Sequence, residues 1–400
     1  MIDYLKRSWA VVHLDRLAHN VGNIRRAISE SCMIMGVVKA DGYGHGDRFI
    51  ATELERLGVN WFGVSGLEEA LALRDHGIES PILIFGITPA EYAGTMAAQG
   101  IVQTVHTLEY AWALQNAAQL AGVTVTVHIK ADTGMSRLGF PVTGEHIAAS
   151  VEEIIQICAM ENLEAQGFYT HFSCADESAR DSAQYTRNQF ALFQECSQRL
   201  GERGISFAIR HCCNSAATIC YPEMHLDMVR PGIILYGLSP SADCRGKMDL
   251  QPVMELYSRI TMVKEIDPGT AVSYGRRYYS AGPTKIATVG IGYADGYERQ
   301  LSNSGRMLVR GQYAGVVGRV CMDQLMLDVT GIDGVTQGDV VTIVGEDGDT
   351  GNAVTFDEMA DLTGTINYEK VCLIGRRVPR VYRKNGRDVG AVDYLRGRSQ

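Results

Sequence analysis

The 400-residue sequence predicts an α/β protein, an N-terminal (β/α)8 barrel of the TIM type followed by a C-terminal mainly-β domain. Three observations carry that prediction. Between about residues 32 and 237, eight short runs rich in β-branched residues alternate with longer amphipathic stretches, the pattern of repeated strand–helix units around a parallel sheet. After about Ser241 the texture changes to alternating strand-like runs punctuated by Gly, Asp and Pro. No G-x-G-x-x-G follows the first run, where a doubly wound dinucleotide fold would carry its fingerprint, and this favours the closed barrel.

The eight barrel strands are expected at 33–39, 61–65, 81–86, 102–106, 123–130, 163–172, 207–213 and 228–236. Between them, apolar residues recurring at three and four positions predict helices at 67–75, 110–120 and 145–158, with Ala70, Leu71, Ala72 and Leu73 in the first. In the second domain strands are expected at 257–266, 285–293, 313–320, 324–329 and 339–344. One helix interrupts them: Thr355 with Glu358 reads as a capping box, 359–362 as an apolar turn and Gly364 as the stop. The domains are drawn as 1–241 for the barrel, with the option that its first 12 or so residues pack with the second domain, 242–385 for the β domain, and 386–400 as a tail.

With 46% apolar and 21% charged residues the chain can bury a full core, which excludes disordered and fibrous classes. Its net charge of −9 argues against sequence-independent binding to nucleic acid or to an anionic membrane surface, so a small-molecule partner is expected. The apolar stretch from Trp9 to Val12 is too short for a signal peptide or a membrane span. The ten cysteines form no C-x-x-C pair, so no metal site is expected and free thiols in a reducing cytoplasm are. Glycine is in excess, 43 residues or about 11% against a usual ~7%.

Lys39 leaves the first apolar run into the glycine-rich string VVKADGYGHG at 37–46. Active sites lie at that end of barrel strands, and a partly buried lysine can attack carbonyls, although a lysine reaching out of a strand end toward solvent is the blander reading. The wider pattern decides. VVKADGYGHG at 37–46, KADTGMSRLGF at 130–140, Asn214-Ser215 after His211, VRPGI at 229–233 with Tyr236-Gly237, SYG at 273–275, IGYADGY at 291–297, CMD at 321–323 and INYE at 366–369 together resemble the pyridoxal-phosphate-dependent alanine racemase family, in order from about residue 9 to 380.

The resemblance implies a head-to-tail homodimer whose β domain completes the partner's active site. It implies that Lys39 holds pyridoxal 5'-phosphate as a Schiff base and handles the proton on the D-alanine face, and that Tyr274, from the other chain, handles the L face. Two such groups are what inversion of a carbon centre demands, one on each side of the planar carbon. A phenol with pKa near 10 needs cationic neighbours to act at neutral pH, and His171 and Arg230 are the expected suppliers. By the same resemblance Arg230 would face the pyridine nitrogen, where an arginine donates without surrendering its proton. Asn214, Ser215, Gly232, Ile233, Tyr43 and Tyr368 serve the cofactor, with the phosphate at the loops after strands seven and eight and some surplus glycines supplying backbone donors there. Ser215 also reads as the N-cap of a helix from Ala216.

For the substrate, Arg137 suits a carboxylate, and Lys130 is a possible carbamylated lysine holding that arginine. Met322 and Asp323 reach the substrate and entrance, and Tyr293 with Tyr368 narrows it to a methyl-sized side chain. The expected activity is interconversion of L- and D-alanine in the cytoplasm, supplying D-alanine for peptidoglycan. Racemisation of serine or of a broader set of amino acids is the alternative. His13, where an acid is common, and the vicinal thiols Cys212 and Cys213 depart from the pattern, the thiols suggesting sensitivity to oxidation.

Overall fold

The computed structural model of the chain describes residues 6–399; residues 1–5 and Gln400, the outermost ends of the expected barrel domain and tail, lie outside the described residues. Among the described residues two compact units emerge: 17–42 with 47–251, and a second of 6–16, 43–46 and 252–399.

The first unit is a parallel barrel. Its strands are Met33–Val37, Trp61–Val64, Ile82–Ile84, Ile101–Val105, Val125–Asp132, Leu163–Tyr169, Ile209–His211 and Met228–Val229; the first seven pair in parallel, each with the next, and Met228 of the eighth lies opposite Met33 of the first. The seventh and eighth strands are joined by Asp227 N donating to Arg210 O (3.1 Å) and Arg230 N to Cys213 O (2.9 Å), which brings the sheet nearly to closure. Met35, Trp61, Leu83, Val102, Tyr169, Ile209 and Met228 pack into one interior cluster. Their contribution from successive strands explains why short β-branched runs, buried on both faces, marked the barrel. The glycine at 167 is required by space: a Cβ there would come within 2.5 Å of the His128 ring.

Helices follow where the periodicity placed them, at Leu67–Asp75, Leu108–Ala121 and His146–Cys158. The eighth run is shorter than expected. Beyond Val229 the chain turns, with Leu235 N donating to Gly232 O and Tyr236 N to Ile233 O, so residues 232–237 are apolar turns whose Ile-Ile-Leu-Tyr composition mimics a strand.

The second unit is one mainly antiparallel sheet in which Met254–Ile266 pairs with both Thr284–Val289 and Val340–Glu346. Arg306–Val309, Gln312–Val316 and Leu325–Asp328 complete the circuit, so six strands close on themselves. Ser8–His13 pairs antiparallel with the first half of Met254–Ile266, residues 254–258, and in parallel with Arg380–Lys384. Residues beyond 386 are no loose tail: Arg387–Asp393 pairs with Arg380–Lys384, and Ala391 packs with Trp9, Val11 and Val381. The boundary at 241 also did not foresee that 43–46 belongs here. Arg380 Nε donates to Gly44 O (3.0 Å), Tyr382 Oη to His45 O (2.9 Å), and Gly44, at φ 76°, leaves no room for a Cβ, which would sit 2.3 Å from Val371 O.

The expected helix is Phe356–Thr363, capped by Thr355 Oγ1 accepting from Glu358 N (3.0 Å) and ended by Gly364 at φ 68°. The capping box is only half made, because the Glu358 carboxylate turns to Arg306, 2.6 Å and 3.1 Å away. A second helix, Asn367–Cys372, was not expected; its six residues are too few to show a period.

Candidate active site

Lys39 stands half-buried at the carboxyl end of the first barrel strand, where the chain reverses at once. Ala40, Asp41 and Gly42 all take left-handed backbone angles (φ 53°, 55° and 59°), each non-glycine residue costing roughly 1–2 kcal/mol. The turn is held by Ala40 N donating to Glu69 Oε1 (2.7 Å), Gly42 N to Val38 O (2.9 Å) and Asp47 N to Asp41 Oδ1 (3.0 Å). Glu69, whose other oxygen accepts from Ser65 N (2.7 Å), thus ties the loops after strands one and two, a role no motif revealed.

Arg230, 3% exposed, follows the eighth strand. Its Nη1 donates to His211 Nδ1 (2.8 Å), and its Nη2 reaches Thr170 O (2.8 Å), Cys212 O (3.0 Å) and His171 Nδ1 (3.2 Å). Because a guanidinium only donates, His211 must carry its proton on Nε2, which points at His128 Nδ1 2.9 Å away, and His128 in turn faces Gln166 Oε1 at 3.4 Å. Burial and the Arg230 charge keep these rings neutral: His211 and His171 are pushed well below the ordinary histidine range, and His128 to about 4 by burial first, with the Arg230 charge adding to it. His171 is therefore neutral and not the cation expected of it; the positive charges around it are those of Arg230, Arg137, Lys130 and Lys39, and the neutral His211 and His128 rings line up behind Arg230.

Lys130, 4% exposed at the end of the fifth strand, is driven down to about 8, by burial first and then by Arg137 and Arg230. Arg137 is exposed on the following loop, which Asp132 Oδ1 shapes by accepting from Gly134 N and Ser136 N (both 3.0 Å). His106, ending the fourth strand, is buried with Nε2 unpartnered and held low by burial and the Lys130 charge. After the seventh strand, Asn214 is the helix cap, its Oδ1 accepting from Ala217 N (3.0 Å). Ser215, read as a cap in the sequence, is instead the first helical residue, and its Oγ accepts from Gly232 N (2.8 Å), joining the loops after strands seven and eight next to Ile233. Cys212 and Cys213 are fully buried and both donate to Met224 O, so their proximity to the site does not make them accessible to oxidants.

The remaining expected residues lie in the second unit. The rings of Tyr43 and Tyr368 are 6.2 Å apart. Tyr274 is 69% exposed on a turn entered through Ser273 at φ 67°, whose Oγ donates to Arg319 O (2.6 Å). It borders a pocket of about 420 Å³ with Lys264, Val272, Ile286, Cys321 and Met326. Met322 and Tyr293 are 52% and 42% exposed. Asp295, fully buried, organises them: it accepts from Gly292 N (3.1 Å), pairs with Arg7 and Arg377, and Arg377 reaches on to Asp323 (2.7 Å). Tyr293 N and Ala294 N donate to Cys321 O and Met322 O, locking the two loops together. The IGYADGY string contains Asp295, but nothing in it distinguishes a buried carboxylate from a solvated one.

A lysine and a buried guanidinium gathered at the carboxyl mouth of a parallel barrel define a (β/α)8-barrel enzyme. The family description "Alanine racemase, N-terminal domain" matches residues 12–240, and "Alanine racemase, C-terminal domain" matches 253–382. The chain is 44% identical to the alanine racemase of Desulfovibrio desulfuricans, over 96% of this chain and all of that protein, and 46% identical to that of Desulfosudis oleivorans, over 94% and 96%. Among solved structures, alanine racemase from Clostridium difficile 630 superposes with a TM-score of 0.91 at 39% identity, covering 98% of this chain and 100% of that one. The Bacillus anthracis alanine racemase with bound L-Ala-P does so at 0.91 and 34%, covering 98% and 99%. The chain belongs to the alanine racemase family. Among the described residues, no helix is long and apolar enough to cross a membrane.

Proposed function

We propose that the chain interconverts L- and D-alanine with pyridoxal 5'-phosphate, as a cytoplasmic homodimer that supplies D-alanine for peptidoglycan. The observation that carries the reading is the half-buried Lys39 amine at the mouth of a barrel that also buries a permanent cation, Arg230. The donor set suits that cofactor: an amine for its carbonyl, an arginine for its ring nitrogen, and the linked hydroxyl and amide of Ser215 and Gly232 for a phosphate. Bound there, the cofactor supplies an electron sink that makes an amino acid's α-hydrogen acidic enough to move.

Lys39 attaches the cofactor and moves the α-proton on one face; Tyr274 of the partner protomer moves it on the other. Arg230, fixed by His211 and the Thr170 and Cys212 carbonyls, donates a hydrogen bond while keeping its proton. Ser215, Gly232, Ile233, Tyr43 and Tyr368 hold the phosphate, with Asn214 shaping their loop and His171 flanking the ring as a neutral group. Arg137 and the backbone at Met322 receive the carboxylate. Tyr293, Tyr368 and Asp323 restrict the entrance. Lys130, with a pKa near 8, presents enough neutral amine to add carbon dioxide, and the resulting anion sits between Arg137 and Arg230 in place of a third cation.

The test is Tyr274→Phe, for which kcat is expected to fall about 10³-fold. Solvent deuterium should cease to enter from L-alanine and still enter from D-alanine; unchanged exchange from L-alanine refutes the two-sided assignment. Parallel assays on alanine, serine and lysine decide the substrate, with alanine turned over fastest.

A further inference from the structure

Away from the barrel mouth, two thiols and an amine converge in the first unit, where the end of helix Ser215–Cys220 meets the segment leaving the barrel. Cys220 Sγ lies 3.8 Å from Cys244 Sγ and 3.6 Å from Lys247 Nζ. Cys244 is buried and also within 3.8 Å of Asp176 O. A pocket of about 220 Å³, lined by Cys220, Tyr221, Lys247, Asp176 and Arg187, brings small solutes to the half-buried Cys220 sulfur.

We propose that Cys220 is a peroxide-reactive thiol whose oxidised form is resolved by Cys244 into a disulfide. The two sulfurs are unlike. The contact with the Cys244 thiol and the neighbouring Lys247 ammonium, which donates to Cys220 Sγ, together outweigh burial and the Asp176 charge and hold Cys220 down to about 6. Cys244, more buried and without a lysine in contact with its sulfur, is displaced upward by the Cys220 contact and by burial. A thiolate facing a pocket is the nucleophile, and a protonated thiol behind it is the resolver.

In the first step the Cys220 thiolate attacks one oxygen of hydrogen peroxide. An S–O bond forms, the O–O bond breaks, sulfur loses two electrons, and the departing hydroxide takes a proton from solvent. In the second, Cys244 sulfur attacks Cys220 sulfur, the S–O bond breaks, and the hydroxyl leaves as water with the Cys244 proton. Two thiols and one peroxide become one disulfide and two waters. The sulfurs must approach from 3.8 Å to about 2.05 Å. Both sit where that is cheap, Cys220 at a helix end and Cys244 in the three-residue turn Ala242–Cys244.

Reduced full-length holoenzyme is treated with equimolar hydrogen peroxide, quenched by alkylation and digested without reductant. A Cys220–Cys244 linked peptide is expected to form before Cys321 or Cys372 is oxidised. In Cys244→Ser, dimedone should trap Cys220 as a sulfenic acid. Lys247→Gln should slow Cys220 oxidation about ten-fold with alanine turnover unchanged. Oxidation of Cys321 or Cys372 while Cys220 stays reduced, or an unchanged Cys220 rate in Lys247→Gln, overturns the proposal, and the wild-type and Lys247→Gln arms decide it even if Cys244→Ser fails to fold.

Discussion

The barrel mouth and the Tyr274 face of the second unit treat their functional groups in opposite ways. In the barrel, Lys130, Arg230 and the histidines behind it are buried, and their charges are shaped by burial and by each other. In the second unit Tyr274, Met322 and Tyr293 stand largely in solvent, while only the carboxylate that positions their loops, Asp295, is buried. A barrel can be dry and preorganised within one chain. A side chain as exposed as Tyr274 cannot, since water competes for its hydrogen bonds and leaves it no fixed partner. The difference is what the proposed dimer accounts for: Tyr274, Met322 and Tyr293 are exposed on loops held by buried Asp295, and a partner protomer would cover them.

The comparison can be broken hardest at the barrel. On the proposed mechanism Lys39→Ala removes both the attachment point and one proton carrier, so racemisation should fall by at least about 10⁴-fold. The purified variant should show no new visible absorbance when pyridoxal phosphate is added; retained activity or absorbance would move the site elsewhere. The second unit is probed through Asp295→Ala. Removing a fully buried carboxylate from between two arginines should cost about 4 kcal/mol in denaturant unfolding and lower activity through the displaced 292–296 and 321–323 loops. A variant as stable as wild type would show those loops are held without it.

A smaller effect sharpens the comparison within the second unit, where His13 finds its purpose. The His13 ring lies 2.8 Å from Glu255 Oε2 and Arg16 2.9 Å from Oε1. Burial raises the Glu255 carboxyl, but hydrogen bonds from His13 and Tyr257 and the His13 and Arg16 charges hold it down to about 2. A folded-state pKa below the unfolded 4.5 stabilises the protein above about pH 4.5 and ceases to do so as pH falls toward 2, a contribution of about 3 kcal/mol. Unfolding free energies measured from pH 6 to pH 2 should show that loss in wild type and not in Glu255→Gln; parallel curves would show the ion pair contributes nothing.

Much of this was legible beforehand. Eight apolar runs became eight parallel strands because a strand buried on both faces must be apolar, and 67–75 became a helix with those bounds, burying Leu67, Ala70 and Leu73 at a spacing of three. The run at 228–236 misled because turns buried in a core carry the same residues as strands. Lys39, Arg137 and Tyr274 could be singled out because each lies in a short string that resembles those of the alanine racemase family. Glu69, His128 and Asp295 could not, because their importance lies in what they touch: Asp295 meets Arg7 across 288 positions and Arg377 across a gap no local pattern spans.

By itself, then, the sequence determined the two architectures and the order in which they occur, since these follow from local period and composition, and its family resemblance named the side chains proposed to carry chemistry. Only the tertiary structure decided the state of those side chains. It made His171 neutral, lowered Lys130 to about 8, gave the capping role to Asn214 and not Ser215, sealed Cys212 and Cys213 away and set Cys220 against Cys244 and Lys247. Burial and charge act through space, and the distances that set them belong to pairs of residues brought together by folding.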